Sequence, residues 1–286
     1  MPFDSKKIAI CATTYYPNWY QGKLRSIKHT DKIRGDLALE FARQCSKRNL
    51  NLIVVDGKST KTFVKNLIQI PNIILAKRRQ PKRSPGKRQA FKIASKIPGV
   101  EVILSSEPEK ISLITDCLEQ ITKPILEGHA DIVVGERKSE LFKKTYPNYM
   151  WESETEGNKL YNEFLKLYKL LPPNSTSLDM FFGPRAFKND PKILKLFLEK
   201  HQITLGKVAL PKEYLDPEQL SNTSFFPIVK ALKKKFRVTT VEIPFSYPKL
   251  QKENEQIGNR RFFEEKRKDQ RLALILELVH FLGVIF

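Results

Sequence analysis

Short apolar runs alternate with stretches of helical period along the first half of this chain, and that alternation restricts the fold more than any other feature. Residues 7–12, Lys-Ile-Ala-Ile-Cys-Ala, end at Thr13, Thr14, Tyr15 and Pro17, the pattern of a buried strand entering a loop. Ile33, Leu37, Phe41 and Cys45 then recur every four residues and mark one face of a helix. Further apolar runs at 50–55, 72–76, 102–104 and 131–135 alternate with helical stretches at 60–68, 88–96 and 111–123, the last closed by Pro124. Strands apolar throughout are buried on both faces, so the expectation is a mainly parallel sheet in three α/β/α layers. Its crossovers should be right-handed, with ligands beyond the carboxyl ends of the strands.

The second half is less regular. Helices are expected at 158–171, 191–201 and 227–235 and a strand at 237–243, while 137–158 reads as a long irregular lid. Residues 1–250 are taken as one domain, split near 112 into a donor half and an acceptor half, followed by an extension at 251–286.

The charge balance narrows the partners. With 51 Lys+Arg against 31 Asp+Glu, the 286 residues carry a formal charge of +20, which attracts polyanions. Seven of the twelve residues at 77–88 are basic, broken by Pro81, Pro85 and Gly86, and the stretch reads as an anion-binding loop. It lacks the aromatics that stack bases, so phosphate is expected there and nucleic acid is not. Three scattered cysteines and four histidines without ligand spacing exclude a disulfide framework and a cysteine-based zinc site. The amino terminus has no secretory pattern, and no apolar stretch reaches the ~18 residues of a membrane span. A cytoplasmic protein is expected.

Carboxylates stand at the expected strand ends. Asp56 follows the second strand, and Ser105-Ser106-Glu107-Pro108-Glu109 follows the fourth. Pro108 keeps that segment extended, so Glu107 and Glu109 should project the same way and suit a hard divalent cation.

Together these stretches resemble the GT-A nucleotide-diphospho-sugar glycosyltransferases of the family-2-like group, which includes polyprenyl-phosphate sugar transferases. The matching segments are Ile8–Tyr15, Leu52–Ser59, Gly86–Ala94, Ser177–Phe187 and Val241–Tyr247. The resemblance implies a glycosyltransferase with a UDP- or GDP-linked donor, inverting and assisted by Mn2+ or Mg2+. It implies that Thr13, Thr14 and Tyr15 border the nucleotide, that Asp56 contacts its base or ribose, and that Lys87 and Arg88 lie beside it. Glu107 and Glu109 fall where the family carries its metal-binding Asp-x-Asp, Glu107 also facing the donor, and Lys110 could supply charge to a phosphate. Asp179 falls on the aspartate near the acceptor and is expected to act as base or to orient the acceptor, for which a lipid phosphate is the suggested class. Two other classes stay open: a sugar-phosphate nucleotidyltransferase and a catalytically inactive basic module.

The chain ends in an expected helix at 260–286, basic first (Arg260, Arg261, Lys266, Arg267, Lys268, Arg271) and then apolar. Leu272, Leu274, Ile275, Leu278, Val279, Phe281, Leu282 and Ile285 could dip into a membrane interface beside anionic headgroups. The competing expectation is a core-packing helix or an oligomer contact.

Overall fold

The structure is a computed structural model that describes residues 4–80, 83–200 and 221–285. A single 3-10 turn precedes strand β1 (Ile8–Thr14); then follow α1 (Thr30–Lys47), β2 (Asn51–Asp56), α2 (Lys61–Ile68), β3 (Ile73–Lys77), α3 (Arg83–Ala94) and β4 (Val102–Ser105). The second half comprises α4 (Ile111–Thr115), α5 (Leu118–Leu126), β5 (Ile132–Arg137), α6 (Ser139–Thr145), α7 (Asn148–Leu167), β6 (Arg185–Lys188), α8 (Pro191–Leu198), α9 (Ser221–Ser224), α10 (Phe226–Lys233), β7 (Val238–Ile243) and α11 (Lys249–Glu253). A short π-helical stretch, Asn254–Gly258, leads into α12 (Arg260–Ile285).

The seven strands form one sheet in the order β3-β2-β1-β4-β6-β5-β7. β1 pairs in parallel with β2 and β4, and β5 with β7, while β6 alone runs against its neighbours β4 and β5. Side chains alternate between two cores, as the two-residue period of a strand requires. Ile8, Ile10, Leu52, Val54 and Leu104 pack under α1, α2 and α5 through Phe41, Phe63 and Ile121. Ala9, Cys11, Ile53, Val55 and Ile103 face Phe91 of α3, Phe197 of α8 and Leu278 of α12. The three-layer expectation holds.

Three local expectations change. α3 begins at Arg83, five residues earlier than read, because Pro85 is compatible with a first turn whose N–H groups are unpaired anyway. Pro124 lies inside α5 rather than stopping a helix at 111–123, and that stretch divides at Asp116 and Cys117 into α4 and α5. The stretch at 137–158 is not an irregular lid: it is filled by α6 and the first half of α7.

Of the two readings of the carboxyl-terminal apolar face, core packing accounts for four of its side chains, while Leu272 stays 56% exposed. Leu274, Leu278, Phe281 and Leu282 are buried in the core, and the Phe281 ring stacks on Phe226 at 4.1 Å. Those four side chains have no face left for a lipid interface. Among the described residues no helix is long and apolar enough to cross a membrane.

Candidate active site

The sheet order places the site. After β3 the chain returns to the other side of β1 to lay down β4, so crossovers leave β1 in opposite directions and a crevice opens between the carboxyl ends of β1 and β4. Thr13, Thr14 and Tyr15 stand at the first end, Ser105 through Lys110 at the second, and Asp56 beside them on β2.

Tyr15 is 56% exposed, whereas Tyr16 and Trp19 fold under the loop and meet the Phe63 ring edge-on at 5.1 and 5.6 Å. The segment after β1 is therefore pinned by aromatics. Asp56 is the acceptor around which its own turn closes. Its Oδ1 accepts from the Thr14 hydroxyl at 2.7 Å and the Ser59 hydroxyl at 2.5 Å; its Oδ2 accepts from the Lys58 and Ser59 amides, each at 3.0 Å. Those bonds occupy the roughly four lone-pair sites of a carboxylate, so Asp56 shapes the rim before it touches any ligand.

Arg78, which sequence reading left inside the basic run, lies in this rim. It donates to the Thr14 carbonyl at 3.1 Å, and its Nε is buried without a partner. Gly57 and Gly86 make room: a Cβ at Gly57 would sit 2.4 Å from the guanidinium carbon, and one at Gly86 3.1 Å from Nε. Burial lowers the Arg78 pKa, opposed by the charge of Asp56.

The structure separates Lys87 from Arg88. Lys87 is 6% exposed, donates to the Ser224 hydroxyl at 3.1 Å, and feels the Glu107 carboxylate. Arg88, one residue on, lines a groove of ≈ 580 Å³ with Arg79, Lys92 and Lys96.

It also gives Glu107 and Glu109 different partners. Glu107 Oε2 lies 3.9 Å from Lys110 Nζ, and Glu107 Oε1 packs so closely on Gly183 that a Cβ there would meet it at 2.5 Å. Burial raises the Glu107 pKa, but Lys110 and Lys87 outweigh it and hold the carboxyl below its usual range. Burial lowers both lysines, with Glu107 pulling them back up. Glu109 instead accepts from the Tyr16 hydroxyl at 3.0 Å and adds to the field on Arg34. Among the described residues no group of three His, Cys, Asp or Glu side chains is placed to hold a metal ion. A divalent cation on a diphosphate needs one or two protein carboxylates; among the described residues Glu109 is bonded to Tyr16 and Glu107 faces Lys110, so the expected chelating pair is not assembled.

Asp179 is equally committed. Arg137 grips it with Nε to Oδ2 at 2.7 Å and Nη2 to Oδ1 at 2.8 Å, and the Asn158 amide donates to Oδ1 at 2.7 Å. Backbone amides of Arg137 and Phe182 add two weaker bonds. Burial raises its pKa, yet Arg137 and Asn158 bring it below the usual aspartate range. A carboxylate so held is a poor proton acceptor.

Arg137 is 1% exposed in its side chain, also bonds Glu154 at 2.6 Å, and lies over the Phe142 ring at 3.6 Å. Below it, Arg185 donates to the carbonyls of Met180 at 2.6 Å and Pro184 at 2.7 Å. The Asn162 side chain donates to the Leu178 carbonyl and accepts from its N–H, each at 2.8 Å. The loop that carries Gly183 to Glu107 is thus clamped by α7 and β6. Sequence reading missed Arg137, Asn158, Asn162 and Arg185. One sign was there: Glu154, Asn158 and Asn162 repeat every four residues, a polar stripe on one helix face.

No family model matches the chain, and no curated protein matches it. Among solved structures, glucosyl-3-phosphoglycerate synthase from Mycobacterium tuberculosis, determined with Mn2+, UDP and phosphoglyceric acid, has a TM-score of 0.54 at 10% identity, covering 97% of this chain and 79% of that one. A second structure, described only as a mycobacterial protein, has a TM-score of 0.51 at 9% identity over 83% of this chain and 65% of that one. At that identity the likeness concerns the backbone, and the backbone it identifies is the GT-A fold of nucleotide-diphospho-sugar transferases.

Proposed function

We propose that the chain is a glycosyltransferase that takes its sugar from a nucleotide diphosphate donor. The observation that carries this reading is the gathering of Lys87, Lys110 and Glu107 at the β1–β4 crevice of a GT-A sheet. The nucleoside lies along Thr13–Tyr15 with Arg78 and the Asp56 turn as its rim, and the diphosphate faces Lys87 and Lys110. During transfer the bond from the anomeric carbon to the diphosphate breaks while an acceptor oxygen bonds to that carbon. Negative charge then grows on the leaving diphosphate, where fixed cations stabilise it most.

Asp179 acts through Arg137 and the Gly183 loop rather than as the proton acceptor. An acceptor that arrives ionised, such as a phosphate, needs no base, and that class suits a site whose aspartate is already bonded. A structural neighbour was solved with Mn2+, which supports a divalent ion; among the described residues Glu107 and Glu109 take separate partners rather than forming its chelating pair. The nucleotidyltransferase reading is less well supported, because such enzymes carry a glycine-rich phosphate loop after β1. Here Tyr16 and Trp19 anchor that segment in the core.

A thermal-shift panel of UDP, GDP and CDP with their sugars tests the reading, since ligands of the native state raise Tm. At least one nucleoside diphosphate should raise Tm, and its sugar conjugate should be slowly hydrolysed. No shift with any of them would remove the proposal.

A further inference from the structure

We infer that the leaving diphosphate is neutralised by two lysines, Lys110 and Lys87, standing where a divalent cation is expected. This deepens the proposed function and rests on it.

Lys110 is held for this work. Its ammonium lies 4.9 Å from the Phe182 ring centroid and 5.1 Å from that of Phe245, which fix the head by cation–π attraction. Its side chain is 14% exposed, and among the described residues it finds no hydrogen-bond acceptor, only Glu107 Oε2 at 3.9 Å. An ammonium has three donors, so those of Lys110 are unspent. Lys87, on α3, spends one on Ser224, and its charge also acts on the Glu107 carboxylate. Glu109, the second ligand that a chelating pair would need, is bonded to Tyr16. Glu107 Oε2 is buried without a hydrogen-bond donor of its own. In this arrangement Glu107 is the counter-ion of two lysines, not a metal ligand. A dication added beside them would be repelled by both.

The two roles give Glu107 opposite signs. As a metal ligand, its loss weakens donor binding. As a counter-ion, its loss leaves two cations with less competition and tightens binding of a diphosphate.

The test is titration calorimetry of the full chain with inorganic pyrophosphate in EDTA, and with UDP and GDP in EDTA or Mn2+. We expect pyrophosphate to bind in EDTA, and nucleotide affinity to agree within about twofold with and without Mn2+. Lys110→Met should weaken pyrophosphate about tenfold or more, the loss of one charge-assisted hydrogen bond. Lys87→Met should act likewise, and Glu107→Gln should leave binding equal or tighter. Circular dichroism melts show that each variant is folded; if Lys87→Met is not, Lys110→Met and Glu107→Gln still decide. Nucleotide binding that needs Mn2+ and is lost in Glu107→Gln overturns the lysine assignment and leaves the glycosyltransferase reading intact. Pyrophosphate binding untouched by Lys110→Met places the anion elsewhere on the basic surface and also overturns it. No binding of any diphosphate under any condition overturns the parent reading with it.

Discussion

The two halves of the sheet keep their charges in different places. From β1 to β4 the strands are parallel and apolar, and polar side chains appear where the strands stop: Thr14, Asp56, Ser105. From β5 onward, charge is buried inside the structure. Arg137 joins Asp179 and Glu154; Arg267 lies 3.8 Å from Glu154; Arg34 reaches Glu255, fully buried in the π-helical stretch, at 2.8 Å. Tyr247 and Gln251 also donate to Glu255, at 2.9 and 3.1 Å. The first half sets its polar groups at strand ends, and beside them Glu109 and Lys87 each bond one distant partner. The second buries opposite charges against one another in a network that ties α7 to α12.

The largest expected effect breaks that joint. Arg137→Met leaves Asp179 and Glu154 buried with their principal cation gone, and should destabilise the protein by about 3–5 kcal/mol in urea unfolding. An Arg137→Met variant within 1 kcal/mol of wild type would mean the network is ornamental. Next comes Asp56→Ala, which strands the donors of one turn. It should cost about 1–3 kcal/mol of stability and weaken nucleotide binding through the misplaced rim. Wild-type affinity in a folded Asp56→Ala protein would detach that turn from the site.

Smaller still is Gly183→Ala. The added methyl must displace Glu107 Oε1, so calorimetry should show altered pyrophosphate affinity with Tm little changed. Unchanged affinity would uncouple the second-half loop from the first-half crevice.

The smallest effect concerns pH. Lys266 is exposed at the surface, yet partial desolvation, then the cations Arg83, Arg34 and Arg267, pull it down to about 8 from 10.5. Between those values the unfolded chain holds a proton that the folded chain has released, so this group makes stability rise as pH increases through that window. Comparing Tm at pH 7.5 and 9.5 in wild type and Lys266→Gln should show a larger fall, or smaller gain, in the variant. Identical pH dependence would mean that Lys266 titrates as it does in the unfolded chain.

Much of the first half was legible because its strands are short, wholly apolar and separated by helices of regular period. The positions of Thr14, Asp56 and Glu107 at strand ends follow from that pattern alone. Their partners do not. Glu107 and Glu109 share a direction in an extended dipeptide step, but β4 ends there, and the turn into α4 delivers one to Lys110 and the other to Tyr16. In the second half, residues 137–158 read as loop because Arg137, Glu154 and Asn158 interrupt the apolar pattern. They interrupt it because Arg137 finds Glu154 inside the fold, and Arg137 and Asn158 both find Asp179.

The carboxyl-terminal helix shows the same limit. Its basic-then-apolar sequence describes an interfacial anchor and a core helix equally well, since both bury one apolar face. Packing against α7 and Phe226 chose the core. What the sequence determined by itself was periodic: which segments are strand or helix, the three layers, and the residues standing where strands end, because these depend on local sterics and on the burial of neighbouring side chains. What only the tertiary structure decided was pairing: Asp179 with Arg137, Glu109 with Tyr16, Lys110 with Glu107. A buried charge must find an opposite charge or a donor within a few ångströms, and which one it finds is set by residues up to 221 positions away.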